Sequence, residues 1–223
     1  ALVDGSGEEM TLVLVLHHII MDGWSLGILV SELAALYNSL EQEEILTLPP
    51  LALQYADYAH WQRLWMAGDR LDLELSFWEE TLIGIENLSL PTDFTRPIHQ
   101  TFNGGFAPIR LSSTLSEQVR QCAKETETTP FMFLLTAFSV MLSRYSGQQN
   151  FCIGTPIAGR NRQEIEPLVG LFVNTLVLRM DLAGEPDVLQ ALARVRETTV
   201  NAYSHQDLPF ERLVDELRPQ RDL

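Results

Sequence analysis

The stretch richest in chemistry is Leu16-His17-His18-Ile19-Ile20-Met21-Asp22-Gly23-Trp24-Ser25. Imidazole has an unperturbed pKa near neutral, so a histidine here could take a proton from an attacking nucleophile and return one to a leaving group. Two adjacent histidines on extended backbone project to opposite sides, which lets one face a cleft and assigns the other to the scaffold. Asp22 is near enough in sequence to fix the loop or a ring, and Gly23 permits a backbone angle that a Cβ would forbid. Three other readings fit the same residues. The histidines could be a hydrogen-bonded pair without chemistry. His18 and Asp22, four apart, could share a metal, and His17 and Asp22 match the His-x4-Asp spacing of lipid acyltransferases. Only five histidines and two cysteines are present, with no second ligand cluster, which argues against the metal.

The flanks say how this stretch is held. The apolar run Thr11 to Leu16 predicts a strand buried on both faces, ending at the histidines. Ser25 is the expected N-cap of a helix whose apolar side is Leu26, Leu29, Val30, Leu33, Leu36 and Tyr37, with Glu32 and Glu44 on the polar side. The motif is then a loop between strand and helix, where catalytic side chains tend to sit. Glu41 to Glu44 form an acidic connector, and Leu48-Pro49-Pro50 stops regular structure, which sets a boundary between residues 1–48 and 49–223.

Beyond it, aromatic residues at helical spacing predict a helix from Leu53 through Trp65 towards Gly68. Further helices are expected over Leu71–Leu82, over Leu115–Glu125 with Leu115, Val119 and Cys122 on one face, over Asp187–Tyr203 and over Pro209–Leu217. Thr129-Pro130 starts, and Gly147 stops, a helix from Phe131 to Tyr145 that is apolar almost all round and so expected to be buried. A strand is predicted within Phe102–Leu111, after a proline-interrupted link through Leu90-Pro91 and Arg96-Pro97. Asn150 to Arg160 is predicted to be a strand running into a glycine-rich loop, and Val169–Arg179 a further strand with the amide of Asn174 at its middle. A polar group at such a place must find a hydrogen bond.

With 223 residues, 46 % of them apolar, the chain can bury a sizeable core. Its formal charge of −15 argues against nucleic acid or an anionic membrane as partner, and its apolar runs are too short to span a bilayer. Cys122 and Cys152, far apart and in different elements, suggest free thiols in a reducing compartment. The glycines of Gly159-Arg160-Asn161-Arg162 match neither a P-loop nor a dinucleotide fingerprint, and His205 with Asp207, two apart, is poorly spaced for a Ser/His/Asp triad. Both ends, Ala1 without a signal peptide and Arg221-Asp222-Leu223, read as cuts.

The string HHIIMDGWS resembles the His-His-x-x-x-Asp-Gly signature of the condensation domains of non-ribosomal peptide synthetases, relatives of chloramphenicol acetyltransferase. Four further segments are similar to that family in the same order. They are Tyr55-Ala56-Asp57-Tyr58-Ala59-His60-Trp61-Gln62, Gly154 to Arg160, Val169 to Arg179, and His205-Gln206-Asp207-Leu208-Pro209-Phe210-Glu211. The last has the form typical of domains that join an L-configured donor to an L-configured acceptor. The resemblance implies an α/β, two-lobed acetyltransferase-like fold of mixed sheets with packed helices, the first lobe truncated and the chain roughly the second half of a domain. It implies His18 as the catalytic residue, His17, Asp22 and Gly23 as its support, and Trp24, Ser25 and Asn174 lining a channel between the lobes. The arginine that pairs with Asp22 is expected in the missing part of the first lobe.

The reaction implied is amide formation between two carrier-protein thioesters in the cytoplasm. Substrates would ride on 4'-phosphopantetheine arms, with upstream and downstream peptidyl carrier domains and an adenylation domain as partners, and with no metal or cofactor bound directly. A coenzyme A or lipid acyltransferase, and an inactive condensation-like interaction platform, are the alternatives.

Overall fold

The computed structural model describes residues 2–4 (main chain), 10–43, 45–95, 97, 99 and 101–217. Ala1, Glu44, Arg96 and the end at 221–223, on which expectations fall, lie outside them. By internal contacts the chain divides into two units, Ala1–Leu73 with Pro156–Thr175, and Glu74–Thr155 with Leu176–Leu223.

In the first unit β1 (Leu2–Asp4) pairs antiparallel with β2 (Met10–Leu12) in the register Leu2 to Leu12, Val3 to Thr11 and Asp4 to Met10. The strand expected from Thr11 to Leu16 is therefore shorter, and it is not buried: residues 10–20 are exposed throughout. A doubly buried strand needs neighbours on both faces, and the only strand paired with β2 among the described residues is β1. The next regular element is α1 (Gly23–Glu41), whose N-cap is Asp22 rather than Ser25. The carboxylate accepts the Ser25 N–H at 2.8 Å, and an anion at a helix N-terminus is doubly favoured, as acceptor and as partner of the helix dipole. The apolar side of α1 is largely exposed at Leu26, Val30, Leu33, Leu36 and Tyr37.

The helix α2 (Tyr55–Trp65) forms where aromatic spacing predicts it, with Asp57 accepting the Gln54 N–H at 2.8 Å. It lays Tyr55 and Tyr58 on a buried cluster of Ile165, Leu168 and Phe172. Burying one side chain of this size contributes roughly 1.5–3 kcal/mol. Within the first unit α2 thus packs on the 156–175 segment.

The second unit holds the larger core. From Glu74 onward it contains most of α3 (Asp69–Leu82), then α4 (Ser113–Glu125) and α5 (Pro130–Ser146), with α5 packed on α4 and on α6 (Val188–Ser204). The caps follow the sequence signals. Thr129 accepts the Met132 N–H, Gly147 ends α5 at φ 73°, and Asp187 with Gln190 forms a reciprocal capping box at the start of α6. On α4 the buried face is Val119 and Ala123, while Leu115 is exposed. On α5 only one side is buried, through Met132, Leu135 and Leu142, whereas Phe131, Leu134, Phe138, Met141 and Tyr145 are exposed. Buried Thr136, Ser139 and Thr199 each return their hydroxyl proton to the carbonyl one turn back, at 2.7–2.8 Å, so none is left unsatisfied.

The strands β3 (Asn150–Ile157) and β4 (Asn174–Asp181) pair with each other. Alternation places Leu176, Leu178 and Met180 in the core, and Asn174 begins β4 instead of standing at a strand's middle. No strand forms at Phe102–Leu111. Phe102 has φ 56°, two glycines follow, and the segment is exposed. The last element among the described residues is α7 (Phe210–Leu217).

Cys122 and Cys152 are free thiols, one in α4 and one in β3, and burial pushes the Cys152 thiol up to about 11 against the opposing influence of Arg179. His205 caps α6. Its Nδ1, the nitrogen that a triad carboxylate would orient, lies 2.9 Å from Oε2 of buried Glu74. Its ring stacks on Phe77 at 3.6 Å between centroids, and its carbonyl accepts the Trp78 indole N–H. A groove of about 730 Å³ between α5 and α6 is lined by residues such as Phe133, Val140, Arg144 and Leu192, none of them from the histidine motif.

Candidate active site

The histidine pair divides its labour through local backbone geometry. His17 is extended at φ −75°, ψ 135°, and its Nδ1 accepts the Ile19 N–H at 3.1 Å, capping a single 3-10 turn of His18–Ile20. His18 opens that turn with its side chain exposed. Both histidines are exposed, and the motif runs through a 3-10 turn rather than a strand end, with His17 bonded to the backbone of that turn.

Met21 and Asp22 are the first buried residues after the turn, and Asp22 is the anchor. Its Oδ1 accepts from the Ser25 N–H at 2.8 Å and from Arg160 Nη2 at 3.3 Å. Its Oδ2 accepts the Phe172 N–H at 2.9 Å, and its own N–H donates to the Gly170 carbonyl at 3.2 Å. Burial by itself would raise the Asp22 pKa. Hydrogen bonds from the Ser25 and Phe172 N–H groups and from the Ser25 hydroxyl, together with the Arg160 charge, outweigh that and hold it below the ordinary carboxylate value.

Ser25 is fully buried. Its hydroxyl lies 2.8 Å from both Asp22 Oδ1 and the Gly170 carbonyl, one of which takes its single proton, and it accepts from Arg160 Nη2 at 2.7 Å and from the Gly170 N–H at 3.0 Å. Expected as a channel-lining group, Ser25 is an interior strut. Trp24 is half exposed, with its indole N–H on the Glu166 carbonyl at 3.0 Å.

Arg160 is the residue the sequence did not reveal. Its side chain is wholly buried; beyond the contacts to Asp22 and Ser25, Nη1 donates to the carbonyls of Ile165 at 2.6 Å and Leu168 at 2.8 Å, and the guanidinium lies 4.1 Å from the Phe172 ring centroid. An ion-pair partner of Asp22, expected outside this chain, is therefore present within it, in the loop after β3. A buried aspartate implies a cation, but nothing in a Gly-Arg-Asn-Arg string says which arginine turns inward.

Gly23, expected to need its missing Cβ for a backbone angle, has open space around it and an ordinary φ. The glycines that cannot carry a side chain are Gly159, at φ 63° and pressed on the Phe172 carbonyl, and Gly170, pressed on the Tyr55 ring. These close approaches, with the Tyr55 hydroxyl on the Leu171 carbonyl at 2.9 Å, press the 159–172 loop onto the motif and α2. Asn174 is half-buried at the head of β4, with its Oδ1 on the Thr175 N–H. Among the described residues no group of three or more His, Cys, Asp or Glu side chains could hold a metal, and no helix is long and apolar enough to cross a membrane.

The exposed His18 side chain thus stands on a turn whose next residues are clamped by a buried ion pair. The family model for the condensation domain matches residues 1–223. The chain is 52 % identical over 217 residues to a linear gramicidin synthase of Brevibacillus parabrevis, covering 97 % of this chain and 4 % of that protein. It is 44 % identical over 224 residues to malpinin synthetase of Mortierella alpina, covering all of this chain and 3 % of that one. The curated relatives are thus far longer than this chain.

Among solved structures, the X-domain from teicoplanin biosynthesis superposes with a TM-score of 0.85 at 28 % identity, covering 93 % of this chain and 47 % of that one. A four-domain nonribosomal peptide synthetase bound to AMP and glycine gives 0.77 at 29 %, covering 91 % and 15 %. The α/β, acetyltransferase-like class expected from the motifs is the class of these structures. A match running from the first residue to the last, with 44 % and 52 % identity to two synthetases, makes this chain a member of the condensation domain family.

Proposed function

We propose that the domain containing this chain forms the amide bond between two carrier-bound thioesters, with His18 as its acid–base residue. The acceptor amine attacks the donor thioester carbonyl, the new C–N bond replaces the C–S bond, and the amine proton passes to a His18 ring nitrogen and from there to the departing sulfur, so that the donor arm leaves as a thiol and His18 is neutral again. The observation that supports this is the exposed His18 on a turn held by His17 from within and by the buried Asp22–Arg160–Ser25 cluster from behind. A thioester is already activated, so proton handling and positioning supply what remains of the rate.

In this reading residues 1–48 complete the first lobe and 49–223 form most of the second. Trp24 and Asn174 border the channel, both aminoacyl groups are L-configured, and the phosphopantetheine arms belong to neighbouring carrier domains that an adenylation domain loads in the cytoplasm. The 223 residues by themselves are expected to be inactive, since they span about half of the solved X-domain chain.

The test is product formation by the intact synthetase module with loaded donor and acceptor carriers. His18→Ala is expected to lower the rate by about a hundredfold or more, and full product formation by that variant would refute the assignment. A second reading, a condensation-like platform that recruits another protein, is favoured by likeness to the teicoplanin X-domain, which has been solved in complex with OxyB (TM-score 0.84). Wild-type activity in the same assay rejects it.

A further inference from the structure

We propose that Arg162 and the stacked pair Trp61–Trp65 position the loop that holds Arg160 on Asp22, and through it the His18 turn; this rests on the reading of His18 given above. Arg160 and Arg162 are two apart, and Arg162 is extended, at φ −133°, ψ 135°. Arg160 enters the interior, whereas Arg162 is exposed and lies over the Trp61 ring at 4.5 Å and the Trp65 ring at 5.9 Å. The two indoles are stacked at 4.9 Å and 22°, Arg70 lies over Trp65 at 3.6 Å, and Arg162 sits alongside this two-ring column at its Trp61 end.

The column is joined to the buried cluster from the other side. Trp61 meets Tyr58 at 5.8 Å, Tyr58 meets Phe172 at 4.8 Å, and the Phe172 ring carries Arg160 at 4.1 Å. Arg162 also precedes the 3-10 turn Gln163–Ile165, whose last carbonyl is one of those that Arg160 grips. Residues 160–162 are thus fastened at both ends, inward to an aspartate and outward to a tryptophan. The −15 charge gives a positive side chain no shortage of exposed carboxylates to attract it, yet Arg162 places its charge on aromatic faces. An exposed salt bridge contributes little and holds no particular geometry, whereas a ring face constrains a planar guanidinium.

The experiment uses the intact module with Arg162→Gln, Arg162→Lys and, in parallel, His18→Ala. Two quantities are read: kcat and KM for the loaded carriers, and hydrogen exchange of the Gly170 and Phe172 amides, which bond to Ser25 and Asp22. Arg162→Gln is expected to lower kcat about two- to fivefold with KM unchanged and to speed exchange of both amides by a similar factor, without unfolding the protein. Arg162→Lys should recover part of both. Unchanged exchange, a loss confined to KM, or faster exchange with kcat unmoved would each overturn the proposal. If His18→Ala keeps full activity, the functional reading fails, and the exchange arm still decides whether the column holds the loop.

Discussion

Replacing Asp22 with Asn separates the anchoring role of this residue from any part in the chemistry. The substitution keeps the shape and one acceptor oxygen, which can still cap α1 through the Ser25 N–H, but it puts an amide NH₂ opposite the Phe172 N–H or opposite Ser25 and Arg160. It also leaves the Arg160 guanidinium, whose side chain is 0 % exposed, without its counter-charge. Removing one partner of a buried ion pair costs about 3–5 kcal/mol, a large share of the roughly 5–15 kcal/mol that keeps a domain folded.

The assay is urea unfolding of the intact domain, followed by tryptophan emission, for wild type, Asp22→Asn, Arg160→Met and the double variant. Each single variant strands a charge and the double strands none, so the double should be less destabilised than the sum of the singles by about 1–3 kcal/mol. The pH dependence carries the same signature. Because the folded pKa of Asp22 is depressed, its contribution is complete above the unfolded value of about 3.9 and is lost as pH falls through the lower folded value. Asp22→Asn should therefore flatten the acid limb of the stability curve and leave its neutral limb parallel to wild type. Stability within about 0.5 kcal/mol of wild type for Asp22→Asn, or strict additivity in the cycle, would refute the anchoring argument.

Two other substitutions probe the loop and the second unit. Gly159→Ala places a methyl group on the Phe172 carbonyl at a left-handed φ, so it should cost more than about 2 kcal/mol in urea unfolding and speed exchange of the Phe172 amide, whereas Gly23→Ala should be nearly neutral for stability. His205→Ala removes the Nδ1 partner of buried Glu74 and the ring stacked on Phe77, and should lower stability by about 1–3 kcal/mol, with His205→Gln recovering part. Equal thermal unfolding of His205→Ala and wild type would show that the α3 to α6 contact contributes nothing.

What the sequence determined by itself was local. The helix cap at Thr129, the stop at Gly147, the aromatic face of α2 and the order of the motif segments depend on neighbours within a few positions, and such signals survive in one dimension. The same locality explains the errors. Ser25 has a capping side chain but is not the cap, and the segments at residues 11–16 and 102–111 have strand-like patterns, but a strand needs a partner that composition cannot supply.

Only the tertiary structure decided which cation answers Asp22, because a residue 138 positions away lies beside it where Asp22 and Ser25 bond to the backbone of Gly170 and Phe172. It alone turned Ser25 into a buried strut and moved the need for glycine from position 23 to positions 159 and 170. Burial and close approach are properties of surfaces that meet in space, and no spacing along the chain encodes them.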